Sequence, residues 1–91
     1  MIKINRPGEF EQMLENLCEK EPKIIEIAQE KIHLFQNNPN DTRLQNHPLK
    51  RSMEGKWAFS ITDDIRIVYK WLGKTSVRFL AIGSHTKVYK S

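Results

Sequence analysis

Residues 57–85 constrain this chain most. Three segments follow one another there, GKWAFSIT, DIRIVYKWL and TSVRFLAIGSH, each with the composition and alternation of a β-strand. In the middle segment Ile65, Ile67, Tyr69 and Trp71 share one parity, and Arg66, Val68 and Lys70 share the other. Successive strand side chains point to opposite faces, so one face must be covered while the other carries charge. Thr62-Asp63-Asp64 and Gly73-Lys74 suit hairpin turns, which pair these neighbours antiparallel. The last segment is apolar on both parities apart from Arg78, the pattern of an inner strand. It ends in Gly83-Ser84-His85, which carries an imidazole to the rim of the sheet a few residues ahead of the Tyr89 phenol.

The residues before this stretch supply its cover. Ile2 and Ile4 alternate with Lys3 and Asn5, a short strand stopped by Pro7-Gly8 and the expected second neighbour of the last strand. From Glu9 the period changes, with Phe10, Met13, Leu14, Leu17 and Cys18 forming one helical stripe that runs out near Lys20. Pro22 suits the first turn of a second helix, whose apolar side includes Ile24, Ile25, Ile27, Ala28, Ile32, Leu34 and Phe35 and which stops at Asn37-Asn38-Pro39. His33 falls among its polar positions. Helices joined so tightly form an antiparallel hairpin. The expected fold is α+β, in the order β-α-α-β-β-β, with the hairpin on one face of a four-stranded, largely antiparallel sheet. Its core is expected to hold Phe10, Leu14, Leu17, Ile24, Ala28, Ile32, Trp57, Phe59, Ile67 and Tyr69. A chain of 91 residues accommodates one such domain, residues 1–91, and no second core.

Residues 38–55 form a long polar connection anchored by Leu44, Leu49 and Met53. Pro48 holds His47 out of the helical region, and Lys50, Arg51 and Lys56 follow closely, either a solvated basic loop or the lip of an anion-binding groove. Fifteen Lys and Arg against 11 acidic residues give +4, a balance that favours an acidic partner. The single Cys18 excludes an internal disulfide and fits a reducing cytoplasm. The sequence has no apolar run long enough to cross a bilayer and no signal-peptide pattern, so a soluble, unprocessed cytoplasmic protein is expected.

Taken together, the element order, the HPLK segment, the run W-x-F-S-I-T-x-D-x-R-I-V-Y and the ending I-G-S-H-T-x-V-Y resemble the toxins of the RelE/ParE superfamily, and among them the YafQ-type messenger-RNA interferases. The resemblance covers nearly the whole chain. It implies a fold like that of the microbial ribonucleases, ribosome-dependent endonuclease activity on messenger RNA with ribosomal-RNA contacts, and neutralisation in a hetero-oligomer with a cognate antitoxin. The family's histidine before Pro-Leu falls on His47, its acidic residue on Asp64, its histidine after the last strand on His85 and its terminal aromatic on Tyr89. YafQ-type enzymes often carry a further histidine at the position occupied here by Ser60. Arg66 instead matches the strand arginine found widely in the RelE superfamily.

The chemistry of RNA cleavage asks for the same side chains. Attack by the 2′-hydroxyl needs a base, cationic donors around the phosphorane and an acid for the leaving 5′-oxygen, with no metal required. His85 is the candidate acid, Asp64 and His47 both qualify as the base, and Arg66 is the cationic donor. Tyr89 is suited to stacking on a base. Lys50, Arg51, Lys56, Lys70 and Lys87 are the candidate RNA-binding cations. Separated histidines and one helical cysteine form no recognisable ligand set, so neither metal nor other cofactor is expected. Two other readings remain: a ParE-like toxin that binds gyrase, and a non-catalytic member that docks only an antitoxin or nucleic acid.

Overall fold

The structure is a computed structural model and describes residues 1–50, 53–85 and 88. Strand β1 (Lys3–Asn5) leads into helices α1 (Gly8–Lys20) and α2 (Ile24–Asn37). A 3-10 turn (Thr42–Leu44) and strand β2 (His47–Pro48) precede β3 (Trp57–Ser60), β4 (Ile65–Trp71) and β5 (Ser76–Ser84). These strands make one five-stranded sheet in the order β1-β5-β4-β3-β2. β1 runs parallel to β5, and the other neighbours are antiparallel. The expected α+β fold and the pairing of β1 with β5 are therefore present. The strand number differs: His47 and Pro48 pair with Ala58 and Trp57, adding a fifth strand at the edge. Proline is tolerated there because its missing N–H faces away from the ladder.

Both helices cover the same face. Phe10 and Leu14 of α1 and Ile24, Ala28, Ile32 and Phe35 of α2 join Phe59, Ile67, Tyr69, Val77 and Phe79 in one buried cluster. Phe35 stacks on Phe59 with ring centroids 4.5 Å apart and meets Tyr69 edge-on at 5.0 Å. Each fully buried Phe contributes about 2 kcal/mol through the area it removes from water. Leu17 and Trp57, expected in this core, are half-buried at its margin. Tyr69 is wholly buried, and its hydroxyl donates to Asn46 Oδ1 at 2.6 Å, which ties the connection between α2 and β3 to the core. Gln36 Nε2 donates to the Ile2 carbonyl at 3.2 Å and fastens β1 to α2.

The apolar character of β5 on both parities has two causes. The strand is an inner one, flanked by β1 and β4. It also carries a bulge: Val68 pairs with Ala81 but Tyr69 pairs with Phe79, leaving Leu80 as an extra residue. Phe79 and Ile82 thereby reach the same helix-covered face despite their odd spacing.

Candidate functional site

The face away from the helices is laid out in rows by the strand register. Arg66 lies between Ser60 and Gly83, Val68 between Ala58 and Ala81, and Lys70 opposite Arg78. His47 extends the middle row at the edge, opposite Ala58. This face was expected to be charged, but its middle row is apolar. Ala58 and Val68 are buried with Met53 and Val88, and Leu49, Leu80 and Ala81 pack against them. Strand parity alone hides this because Met53 and Val88 arrive from outside the sheet. The loop that brings Met53 is closed by Leu49 N–H donating to the Lys56 carbonyl at 2.8 Å, with Gly55 at a φ of 89°. The charge is thus split between two rows flanking an apolar one.

At the first of these rows the candidate groups meet. The ladder continues one step past Ile65 and Ser84, with the His85 amide donating to the Asp64 carbonyl at 2.7 Å. His85 and Asp64 are therefore adjacent on the rim, both exposed. The Thr62 hydroxyl shapes this turn by accepting from the Ile65 amide at 3.0 Å, and the Arg66 guanidinium donates to the Thr62 carbonyl at 2.6 Å. Arg66 is thereby aimed at the turn and not into a cross-strand ion pair. Asp64 also borders two grooves on the helix side of the rim. One, of about 290 Å³, is lined by Met13, Leu17, Ile82 and Ser84, and the other, of about 510 Å³, by Pro22, Ile24 and Thr62.

His47 stands apart from that cluster. It is three strands from β5, about 14 Å across the sheet at ordinary strand spacing, and its row is offset from that of Asp64 by about 13 Å along β4. Its Nδ1 lies 2.8 Å from the carbonyl oxygen of Gln45. Ser60, at the position where the resemblance leads one to look for another histidine, is buried and donates its hydroxyl to Gln45 Oε1 at 3.2 Å.

Of the candidate cations, Lys50 is exposed in the loop after β2, Lys56 is half-buried before β3, and Lys70 lies on β4. The positions Arg51, Lys87 and Tyr89 lie outside the described residues. Arg78 was not among the candidates, yet it faces Lys70 directly and its Nε is buried with no hydrogen-bond partner. Two cations directly opposite repel each other, and an unpaired buried donor costs about 1–3 kcal/mol. Among the described residues no carboxylate answers Arg66, Lys70 or Arg78; the two ion pairs, Arg6–Glu11 and Arg43–Asp41, lie at the start of α1 and at the 3-10 turn. The described residues also hold no cluster of three or more His, Cys, Asp or Glu able to bind a metal ion.

Helices on one face of a sheet in this order are also found in known proteins. The family model described as bacterial toxin of type II toxin-antitoxin system, YafQ, matches residues 2–90. The chain belongs to the YafQ family of type II toxins. Its fold is that of YafQ from E. coli strain BL21(DE3), with a TM-score of 0.78 at 24% identity, covering 98% of this chain and 99% of that one. A YoeB/ParE toxin from Agrobacterium tumefaciens matches with a TM-score of 0.74 at 21% identity over 92% of this chain and 99% of that one. The toxin of the E. coli DinJ-YafQ complex matches with a TM-score of 0.76 at 24% identity, over 98% and 99% of the two chains. No curated protein sequence matches this one. None of the described helices is long and apolar enough to cross a membrane.

Proposed function

We propose that this toxin is a ribosome-dependent messenger-RNA endonuclease that works in the cytoplasm and cleaves by attack of the substrate's own 2′-hydroxyl, without a metal. The observation that carries the reading is the meeting of His85, Asp64 and Arg66 at one end of a sheet face whose cations have no carboxylate partners among the described residues. A phosphodiester laid against Arg66 brings its negative charge to a guanidinium already held by the Thr62 carbonyl, so little reorganisation is needed as charge builds in the transition state. His85, at the rim beside it, donates the proton to the leaving 5′-oxygen. In-line displacement puts the attacking oxygen on the far side of phosphorus from the leaving one. We assign the 2′-hydroxyl proton to His47, the histidine across the sheet from His85, and give Asp64 the part of supporting His85 electrostatically. Tyr89 stacks on a neighbouring base, and Lys50, Arg51, Lys56, Lys70 and Lys87 hold flanking phosphates.

The same unpaired cations suit an acidic or amphipathic segment of a cognate antitoxin, and the DinJ-YafQ complex of a relative supports such a partner. The antitoxin would block the face on which RNA lies. The test is to add the purified toxin to translating ribosomes. Cleavage of the translated message supports the reading; intact message together with gyrase-dependent DNA damage would establish the ParE-like alternative.

A further inference from the structure

The geometry points to Gln45 as a positioning residue that fixes the tautomer of His47, an inference that rests on His47 serving as the general base. A carbonyl oxygen can only accept a hydrogen bond. The contact of 2.8 Å between the Gln45 carbonyl and His47 Nδ1 therefore places the proton of the neutral ring on Nδ1 and leaves the lone pair on Nε2. A base needs that arrangement: Nε2 takes the 2′-hydroxyl proton, and the resulting imidazolium keeps its Nδ1–H on the carbonyl in a bond that strengthens with the charge. The backbone at Gln45 thus does in part what a buried carboxylate does behind a catalytic histidine.

What holds this carbonyl in place is unusual for a glutamine. Gln45 has a φ of 51°, in the left-handed region that residues other than glycine visit rarely, and it is the one such residue among those described. Its own amide closes the 3-10 turn on Thr42, and its side-chain oxygen accepts from buried Ser60 on β3 at 3.2 Å. The next residue, Asn46, is fixed by the hydroxyl of wholly buried Tyr69, and His47 is held in register with Ala58. Three consecutive residues are therefore each tied to the sheet, so that the carbonyl and the ring meet at a set distance. Ser60 takes part as the tether of Gln45 and not as an acid or base.

The test uses ring nitrogen NMR of the full chain at a pH where His47 is neutral, beside single-turnover cleavage on ribosomes. The wild type is expected to show His47 protonated on Nδ1. Gln45→Gly keeps the carbonyl and adopts the left-handed backbone without strain but loses the tether to Ser60, and should favour the same tautomer with a smaller loss of rate than Gln45→Val. Gln45→Val cannot hold it, and should mix the tautomers and slow cleavage by roughly tenfold, part of the hundredfold or more that a general base supplies. In a His47→Gln background Gln45→Val should have no further effect. A wild-type His47 protonated on Nε2, or an equal loss from Gln45→Val with and without His47, overturns the inference. If the wild type does not cleave RNA, the proposed activity fails, while the NMR spectrum still decides the tautomer.

Discussion

At the scale of single residues, two titrating groups report on the framework around the site. Burial pushes the Tyr69 hydroxyl well above its ordinary pKa of 10.0, an effect that its bond to Asn46 only partly offsets. The unfolded chain loses that proton near pH 10 while the folded protein retains it, so the stability linked to Tyr69 is complete below pH 10 and declines above it. Tyr69→Phe should flatten this alkaline decline. At neutral pH it should lower stability by about 1 kcal/mol, because Asn46 loses its donor; urea unfolding at pH 7 and pH 11 measures both effects. Asp41 behaves oppositely. Its hydrogen bonds to the side chain and backbone of Arg43 hold its carboxyl down to about 2, so its contribution is present above 3.8 and lost as the pH falls through 2. Asp41→Asn should make the acid limb of the stability profile shallower. At this scale the sequence was least informative about Gln45: neither composition nor periodicity marks a glutamine for the left-handed region, because tethers from β3 impose it.

At the scale of elements, the facing pair of Lys70 on β4 and Arg78 on β5 opposes stability in the free protein. Lys70→Glu should therefore raise stability by about 0.5 kcal/mol through a cross-strand ion pair while weakening binding to RNA and reducing its dependence on salt. Gains in both stability and RNA affinity would contradict an anion-binding role for this row. Alternation located β3, β4 and β5, and the change to a helical stripe located α1 and α2 to within a residue or two, because these elements are long enough for periodicity to show. It missed β2, whose two residues carry no period and include a proline, and it missed the apolar middle row, which exists only once Met53 and Val88 have packed down. The bulge in β5 mixes its two faces in a way that parity cannot resolve. The resemblance of HPLK, R-I-V-Y and G-S-H to the family marked His47, Asp64, Arg66 and His85, and the structure brings the last three to one end of the sheet while leaving His47 across it.

At the scale of the whole molecule, the helices cover one face of the sheet and leave the cations to the other, so substrate and antitoxin would compete for the same surface. Antitoxin affinity should then fall as salt rises from 50 to 500 mM, and RNA should be displaced from the toxin by the antitoxin; affinity indifferent to salt would place the antitoxin on the helices instead. The role of His85 as acid is tested most directly by single-turnover cleavage of translated messenger RNA on the ribosome with His85→Gln, run beside a measurement of ribosome binding. The expected result is unchanged binding with a cleavage rate lowered by roughly a hundredfold or more, the usual scale for loss of a general acid. Cleavage at the parental rate would contradict it, leaving His85 a structural residue at the end of β5 and moving the acid elsewhere.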